Sequence, residues 1–291
     1  MLALDLGIIQ RKAHFPSLKE AIAWTLFWVT LALLFCLFIY STRGSQKGLE
    51  FLAGYIVEKA LSVDNIFVFI VIFTYFAVPR EVQHKVLFWG ILGAVIFRAA
   101  FIIAGAALVA KFHWILYLLG IFLIFTAIKL MVQGEAEVHP EHNPLIRFAR
   151  KYLPVTDNYV GSRFFVQRNG KIHATPLFLV LLMIESTDIA FATDSIPAIF
   201  AITQDTFIIY TSNICAILGL RALYFVVAGF IKQFKYLRYG LSVVLGFIGM
   251  KMLIEPFVHI PIVLSLVIIF SVISASVIIS ILHQPVKKHQ R

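Results

Sequence analysis

The length, composition and charge of the chain together exclude a soluble globular protein. Of its 291 residues, 60% are hydrophobic and 14% are charged, whereas about a quarter of the residues in a soluble domain are charged. The apolar residues form continuous blocks, unlike the alternating pattern of a membrane β-barrel, so the blocks predict transmembrane helices. The net charge of +10 could suggest a nucleic-acid partner, but the basic residues lie between the apolar blocks, so the lipid bilayer is the expected partner and nucleic acid is not.

The apolar blocks predict eight full helices in a single membrane domain that covers residues 1–291. The helices are expected near 20–41, 49–78, 84–110, 113–132, 175–203, 206–231, 236–254 and 259–283. A stub at 1–10 resembles the last two turns of a ninth helix. The one long connection, at 133–174, is polar and basic and is predicted to be a cytoplasmic loop.

The basic residues are distributed unequally between the two sides of the predicted bundle. If each block crosses once, the segments on one side hold seventeen Lys and Arg residues, and those on the other side hold only Arg43, Lys47 and Lys111. Cytoplasmic segments carry the excess of positive charge in membrane proteins. We therefore expect a bacterial inner-membrane protein whose C-terminus lies in the cytoplasm.

An internal repeat is predicted on the two sides of the long loop, in 49–132 and 175–254, between flanking helices in 1–48 and 255–291. Three pairs of segments match in the same order: Glu58-x5-Asp64-Asn65-Ile66 with Asp188-x5-Asp194-Ser195-Ile196, Ile91-Leu92-Gly93 and Arg98-Ala99 with Ile217-Leu218-Gly219 and Arg221-Ala222, and Tyr117-x11-Lys129 with Tyr239-x11-Lys251. Each unit has three crossings, an odd number, so the copies would enter the membrane from opposite sides. The predicted fold is an all-α, polytopic transmembrane helical bundle with two inverted-topology three-helix repeats.

Acidic residues inside the predicted helices are the candidate functional groups, because a charge at the bilayer centre costs roughly 2.5–3.5 kcal/mol on insertion scales. The candidate metal ligands lie in the two repeat-related helices: Glu58, Asp64, Asn65, Glu185, Asp188 and Asp194. An all-oxygen set suits a hard cation such as Mg²⁺, Ca²⁺ or Mn²⁺ and argues against Zn²⁺ and Cu⁺. The ion is expected as a substrate, so neither a permanently bound cofactor nor an enzymatic reaction is predicted.

The spacing of these acids restricts how they can share an ion. Residues six apart, such as Asp188 and Asp194, lie about 120° apart around a regular helix. They converge only if the helix is locally unwound or if the ion lies between two helices. Pro197 favours unwinding in the second repeat, because proline cannot donate a hydrogen bond to the carbonyl of Thr193.

Internal ion pairing is the alternative interpretation of the buried acids. Residues that could line or support the site are Ser195, Asn213, Lys59, Arg98 and Arg221. Arg98 and Arg221 are expected to hold the bundle together or to pair with the acids, and Lys129 and Lys251 to reach the membrane interface. For Asn213 an interhelical hydrogen bond is slightly favoured over a cavity-lining role. The acidic and histidine-containing tract at 135–142 is predicted to be a solvated linker, and Cys36 and Cys215 to be buried thiols.

Four segments carry a resemblance to a known family: Gly54–Phe69, Tyr75–Ala94, Ala174–Thr203 and Thr211–Phe225. They resemble the Alx-like branch of the TerC family, within the LysE transporter superfamily. The resemblance implies Mn²⁺ export and, historically, tellurite resistance, and it places the six candidate ligands on the family's intramembrane acidic motifs. Such proteins usually begin with a complete first helix that ends in a segment like Leu2–Ile9, so we expect either a start upstream or a partly missing helix.

The resulting hypothesis is a secondary transporter that exports Mn²⁺ by alternating access, with protons as a candidate counter-ion and the oligomeric state left open. One rival is a non-transporting membrane factor that serves metallation or stress resistance, in which the acids have a structural role. Another rival is an intramembrane enzyme that uses paired carboxylates. No recognisable protease motif occurs in the sequence, and the repeat argues against this rival.

Overall fold

A computed structural model describes residues 17–132, 143–168, 170–230 and 236–282, which form ten helices and one β-hairpin. The helices are α1 (Leu18–Arg43), α2 (Ser45–Tyr75), α3 (Arg80–Lys111), α4 (Ile115–Val132), α5 (Pro144–Tyr152), α6 (Pro176–Phe200), α7 (Thr206–Ile217), α8 (Leu220–Phe230), α9 (Leu237–Ile254) and α10 (Ile262–Leu282). The strands are β1 (Phe165–Arg168) and β2 (Lys171–Ala174). The predicted stub at 1–10 and the tract at 135–142 lie outside the described residues.

Most of the long helices are suited to cross a bilayer. Among the described residues, α1, α3, α4, α6, α9 and α10 are long and apolar enough to do so, and α7 with α8 forms a seventh candidate span that is bent by 46°. Helix α2 has 31 residues, which correspond to about 46 Å, more than the roughly 30 Å of a bilayer core. The prediction of a polytopic helical membrane protein is therefore confirmed.

The outer surface of the bundle is apolar, as contact with lipid requires. Large side chains such as Leu37, Phe125 and Phe270 are more than 60% exposed. The charged residues Glu58, Arg98 and Asp188 are instead at most 4% exposed. A water-soluble protein shows the reverse distribution, so the surface alone indicates a hydrocarbon solvent.

Helix α2 lies in the middle of the bundle, where it packs against α1, α6, α7, α8 and α10. Helix α4 packs instead along α9, and small residues bring the two backbones together. A Cβ atom on Gly249 would lie 2.8 Å from the carbonyl oxygen of Gly120. Further along the same interface, Ser242 Oγ donates to the carbonyl of Ala127 at 2.5 Å. Gly120 meets Gly249, whereas the later residue Ala127 meets the earlier residue Ser242, so the two helices run antiparallel.

Two features of the helices differ from the predictions. The helix expected at 206–231 is broken after Ile217, where Gly219 has a φ of +80°, a left-handed conformation that glycine adopts without strain. The prediction that the helix unwinds at Pro197 is wrong, since α6 continues to Phe200. Proline removes one backbone donor, but the helix tolerates that loss near its C-terminal end.

The long connection between α4 and α6 contains more structure than its polar composition indicates. Asn143 caps α5 by accepting hydrogen bonds from two backbone N–H groups, and Pro144 occupies the first turn. Strands β1 and β2 pair antiparallel, from Phe165 opposite Ala174 to Arg168 opposite Lys171. Tyr159 donates to the carbonyl of Phe76 at 2.7 Å, and burial raises the pKa of this phenol to about 12. The connection is thus attached to the end of the bundle.

Candidate functional site

The centre of the bundle contains an ion-paired cluster around Arg98, on α3. The fully buried guanidinium donates to both carboxylate oxygens of Asp188, at 3.2 and 3.1 Å, and forms an ion pair with Glu58. Ser195 Oγ and Asn213 Oδ1 lie 3.4 and 3.5 Å from the same guanidinium. Arg98 therefore joins α2, α6 and α7 to α3, and its paired hydrogen bonds fix the orientation of Asp188.

Glu185 lies beside this cluster, and its carboxylate interacts electrostatically with Asp188. Within the described part of the chain its Oε2 atom is buried without a hydrogen-bond partner. The side chain lies against Gly93, where an added Cβ atom would collide with the carboxylate. The Nδ2 atom of Asn213 is a second buried group for which the described residues supply no partner. A buried polar group without a partner costs free energy, so such groups are expected at binding sites.

The cluster contains more negative than positive charge. Glu58 and Asp188 contact the guanidinium of Arg98, and Glu185 lies beside Asp188, so three carboxyl groups accompany this one guanidinium. With all groups ionised, the contact set has a net charge of −2. Inside an apolar bundle such an excess is expensive unless a cation or protons balance it.

The remaining predicted ligands lie at the α4 and α9 sides of the central helices. Asp194 accepts a hydrogen bond from Thr126 of α4 at 3.1 Å and interacts electrostatically with Lys129. Asp64 interacts electrostatically with Arg238 of α9. Its neighbour Asn65 is buried. Each of these two aspartates thus has its own basic neighbour, unlike the three acids around Arg98.

The structure brings only part of the predicted ligand set together. Glu58 and Asp188 share Arg98, and Glu185 adjoins Asp188. In the part of the chain that the structure describes, no group of three or more His, Cys, Asp and Glu side chains is arranged to hold a metal ion. A site for an ion would therefore require Arg98 to release at least one of its carboxylates.

Lys59 contributes to a different feature, the break between α7 and α8. Its Nζ atom donates to the carbonyls of Ala216 at 3.1 Å and Leu218 at 3.4 Å. The end of a helix leaves carbonyls without intrahelical partners and has a partial negative charge, which an ammonium group satisfies. Arg221, also proposed as support, is buried on α8 and interacts electrostatically with His84 at the start of α3.

Sequence reasoning missed two residues that contact the candidate site. Asn143, the cap of α5, donates to Ser186 Oγ at 2.6 Å, one residue from Glu185. The Asn143-Pro144 pair is a helix-start signal that could have revealed α5. Thr126, the partner of Asp194, could have been recognised as a hydroxyl inside an otherwise apolar helix. Of the two cysteines, Cys215 is buried, Cys36 is half-buried, and both are free thiols.

A second polar cluster links the α1–α2 turn to the α6–α7 turn at the opposite end of the bundle from α5. Glu50 accepts hydrogen bonds from Lys47 at 2.8 Å and from Thr203 at 2.6 Å. Asp205 forms ion pairs with Lys47 at 3.6 Å and with Arg43 at 3.9 Å. These contacts neutralise the two basic residues that lie on the predicted outer side near α1.

The fold and the buried charges define a polytopic helical membrane protein with an ionisable core. The chain belongs to the TerC family: the profile described as "Integral membrane protein TerC family" matches residues 43–288. No solved structure matches the chain.

Several curated bacterial proteins are similar over nearly their whole length. An uncharacterized membrane protein of Myxococcus xanthus is 51% identical over 97% of this chain and 88% of its own length. The Escherichia coli K12 protein named "Putative membrane-bound redox modulator Alx" is 47% identical over 96% of this chain and 90% of its own length. An uncharacterized membrane protein of Rickettsia bellii is 42% identical over 100% of this chain and 96% of its own length. The chain is therefore a multi-pass integral membrane protein with bacterial homologues.

Proposed function

We propose that this chain is a secondary transporter that moves a divalent metal ion, with Mn²⁺ the leading substrate, out of the cytoplasm. The observation that supports this most is the excess of buried carboxylates around Arg98. One divalent cation would balance the charge of −2 that the three acids and Arg98 carry together when all four are ionised. Carboxylate, amide and hydroxyl oxygens are the ligands that hard cations such as Mn²⁺ prefer. The choice of Mn²⁺ and the direction of transport rest on the resemblance to the TerC family.

In the proposed mechanism the ion competes with Arg98 for the central carboxylates. Glu58, Glu185 and Asp188 take up the ion first. Asp64, Asn65 and Asp194, which the sequence predicts as further ligands, would join it only after the central helices move, because the two aspartates lie at the α4 and α9 sides. Arg98 then acts as an internal cation that balances two of the central carboxylates when no ion is bound. Exchange of a proton on one of the carboxylates would couple transport to the proton gradient.

The α4–α9 interface supports alternating access between inverted repeats. The match of Tyr117 with Tyr239 and Lys129 with Lys251 relates the two helices by an offset of 122 residues. Gly120 and Gly249 are in contact. The residues that correspond to them in the other helix, at this offset, are Ser242 and Ala127, which form the observed hydrogen bond. In the same way, the counterparts of Ile124 and Gly249 are Gly246 and Ala127. A Cβ atom added to Gly246 would lie 3.6 Å from the Cβ atom of Ala127. Antiparallel packing of the two corresponding helices is what oppositely directed copies require.

Flux of Mn²⁺ into proteoliposomes tests the proposal. The purified chain is compared with Glu185→Gln, in the cluster beside Arg98, and Asp64→Asn, at the α9 side, which keep the side-chain shape and remove the charge. Asp157→Asn serves as the matched control, because Asp157 is exposed outside the helices. We expect flux in wild type and the control and none in the two core variants. Competition with Ca²⁺, Mg²⁺ and Zn²⁺, with and without a pH gradient, ranks the substrates and tests proton coupling.

Two other outcomes would contradict the proposal. Equal flux in wild type and both core variants would exclude the carboxylate site. Absence of flux from well-folded wild type under all gradients would favour the second candidate, a non-transporting membrane factor for metallation or stress resistance. The pairing of Glu58 and Asp188 with Arg98 is the observation that favours this candidate, because structural ion pairs need no transported ion.

A further inference from the structure

Helix α5 has three distinct faces. Ile146 and Ala149 are buried, and Ile146 belongs to the same core as Met183 of α6. The exposed apolar side chains are Leu145, Phe148 and Tyr152, which are 41%, 63% and 62% exposed. The exposed basic side chains are Arg147, Arg150 and Lys151. At 100° per residue the apolar and the basic side chains lie on the two opposite flanks of the buried face, with their centres about 140° apart.

The contacts of α5 place it beside the first half of α6. At one end, Asn143 bonds to Ser186, ten residues into α6, or about 15 Å along its axis. Beyond its other end, the carbonyl of Pro154 accepts from the backbone of Ala174, just before α6 begins. A bilayer core corresponds to about 20 helical residues, and counting back from Phe200 reaches residue 181. Helix α5 therefore runs alongside the first half of α6 and crosses the boundary between the hydrocarbon core and the headgroups.

We propose that α5 binds the headgroups of anionic phospholipids in the adjoining leaflet. Its apolar face is suited to the acyl chains, and its basic face to the lipid phosphates. A basic amphipathic helix at this depth gains from both apolar burial and attraction to negative lipid. The positive-inside distribution predicts that this leaflet is the cytoplasmic one, which carries anionic lipid in bacteria. The proposal does not depend on transport.

The test counts the lipids that the full-length protein retains. Wild type is purified from bilayers that contain equal amounts of phosphatidylglycerol and phosphatidylcholine, and native mass spectrometry counts both lipids. The α5 variant carries Arg147→Gln, Arg150→Gln and Lys151→Gln. The control variant carries Arg163→Gln, Arg168→Gln and Lys171→Gln, which remove the same charge from exposed positions near β1 and β2.

We expect wild type and the control to retain phosphatidylglycerol in preference, and the α5 variant to lose that preference by roughly tenfold. Equal retention by wild type and the α5 variant would overturn the proposal. An equal loss in the control would also overturn it, because the effect would then reflect net charge and not α5. Should the triple variant not fold, Arg150→Glu against Arg168→Glu decides the same question with single exposed substitutions.

Discussion

Arg98 has a role that depends on its two carboxylate partners. A buried guanidinium is tolerated here because Glu58 and Asp188 balance it and accept its hydrogen bonds. Removing one member of a buried ion pair leaves the other charges unbalanced, which costs about 3–5 kcal/mol of folding stability. We therefore expect Arg98→Gln to lower the thermal unfolding temperature of the purified protein strongly, as measured by the fluorescence of its tryptophans.

Two comparisons make the Arg98 prediction specific. Lys111→Gln, at the exposed end of the same helix, should leave the unfolding temperature nearly unchanged. Adding Glu58→Gln and Asp188→Asn to Arg98→Gln should restore part of the lost stability, because the unbalanced negative charges are removed with their counter-ion. An Arg98→Gln protein as stable as wild type would show that the ion pairs do not hold the helices together.

The contact between Gly93 and Glu185 gives a second prediction at the scale of single residues. A Cβ atom at position 93 would occupy the space of the Glu185 carboxylate. We expect Gly93→Ala to displace the carboxylate and to lower stability by about 1 kcal/mol or less, because the end of a flexible side chain can move aside and alanine favours a helix over glycine. Thermal unfolding of the purified variant measures this loss.

Truncation of Glu185 provides the control for Gly93→Ala. The double variant Gly93→Ala, Glu185→Ala should be more stable than the sum of the single effects, because the shortened side chain leaves room for the new methyl group. Gly229→Ala is the neutral comparison, since its Cβ would lie no closer than 3.7 Å to a neighbour. Additive effects in the double variant would mean that Glu185 does not face Gly93.

The sequence identified the charged members of the site but not their partners. Charges such as Glu58, Arg98 and Asp188 stand out in apolar helices because burying them is costly. Arg98 and Arg221 were both candidates to pair with the acids, and which of them does so depends on how α3 packs against α2 and α6. Asn143 was missed for a related reason: its contact with Ser186 spans 43 positions along the chain.

At the scale of helices, the approach of α4 and α9 depends on glycine where the backbones meet. A Cβ on Gly249 would lie 2.8 Å from the carbonyl oxygen of Gly120 and 3.1 Å from the backbone nitrogen of Ile124. Backbone atoms cannot move aside as a flexible side chain can. We therefore expect Gly249→Ala to separate the helices and to cost about 1–3 kcal/mol of stability, measured by thermal or denaturant unfolding.

Gly246 supplies the matched control, because it lies one turn earlier on α9. A Cβ there would lie 3.6 Å from that of Ala127, an ordinary contact distance. Gly246→Ala should therefore leave stability unchanged or increase it through helix propensity. If the two alanine variants unfolded at the same temperature, close packing at Gly249 would not be important for this interface.

The interruptions of the helices show where patterns of sequence fail. Pro197 is a signal of helix breaking, yet α6 continues past it, because so near the end of the helix few further backbone bonds depend on it. The actual break at Gly219 follows an apolar run with no proline. There, Lys59 bonds to the freed carbonyls from α2, and a contact between distant segments has no local signal. Hydropathy predicts where helices cross, but packing decides where they bend.

For the whole molecule, the distribution of charge predicts which loops face the cytoplasm. Of the three basic residues on the predicted outer side, Arg43 and Lys47 form ion pairs with Asp205. These ion pairs leave the predicted orientation unchanged, because it follows the number of Lys and Arg residues in the loops and acidic residues contribute little. The predicted inner side contains the exposed basic residues of α5 and of the hairpin.

Labelling of single cysteines in intact bacterial cells tests this orientation. Phe257→Cys places a thiol in the α9–α10 turn, where the native side chain is 88% exposed, and Ile172→Cys places one in β2, where it is 65% exposed. A membrane-impermeant maleimide should label position 257 and not position 172, whereas a permeant maleimide should label both. Wild type reports the background from half-buried Cys36 and buried Cys215. The reverse pattern would place α5 and the hairpin outside the cell, and the cytoplasmic leaflet would then not be the one that α5 contacts.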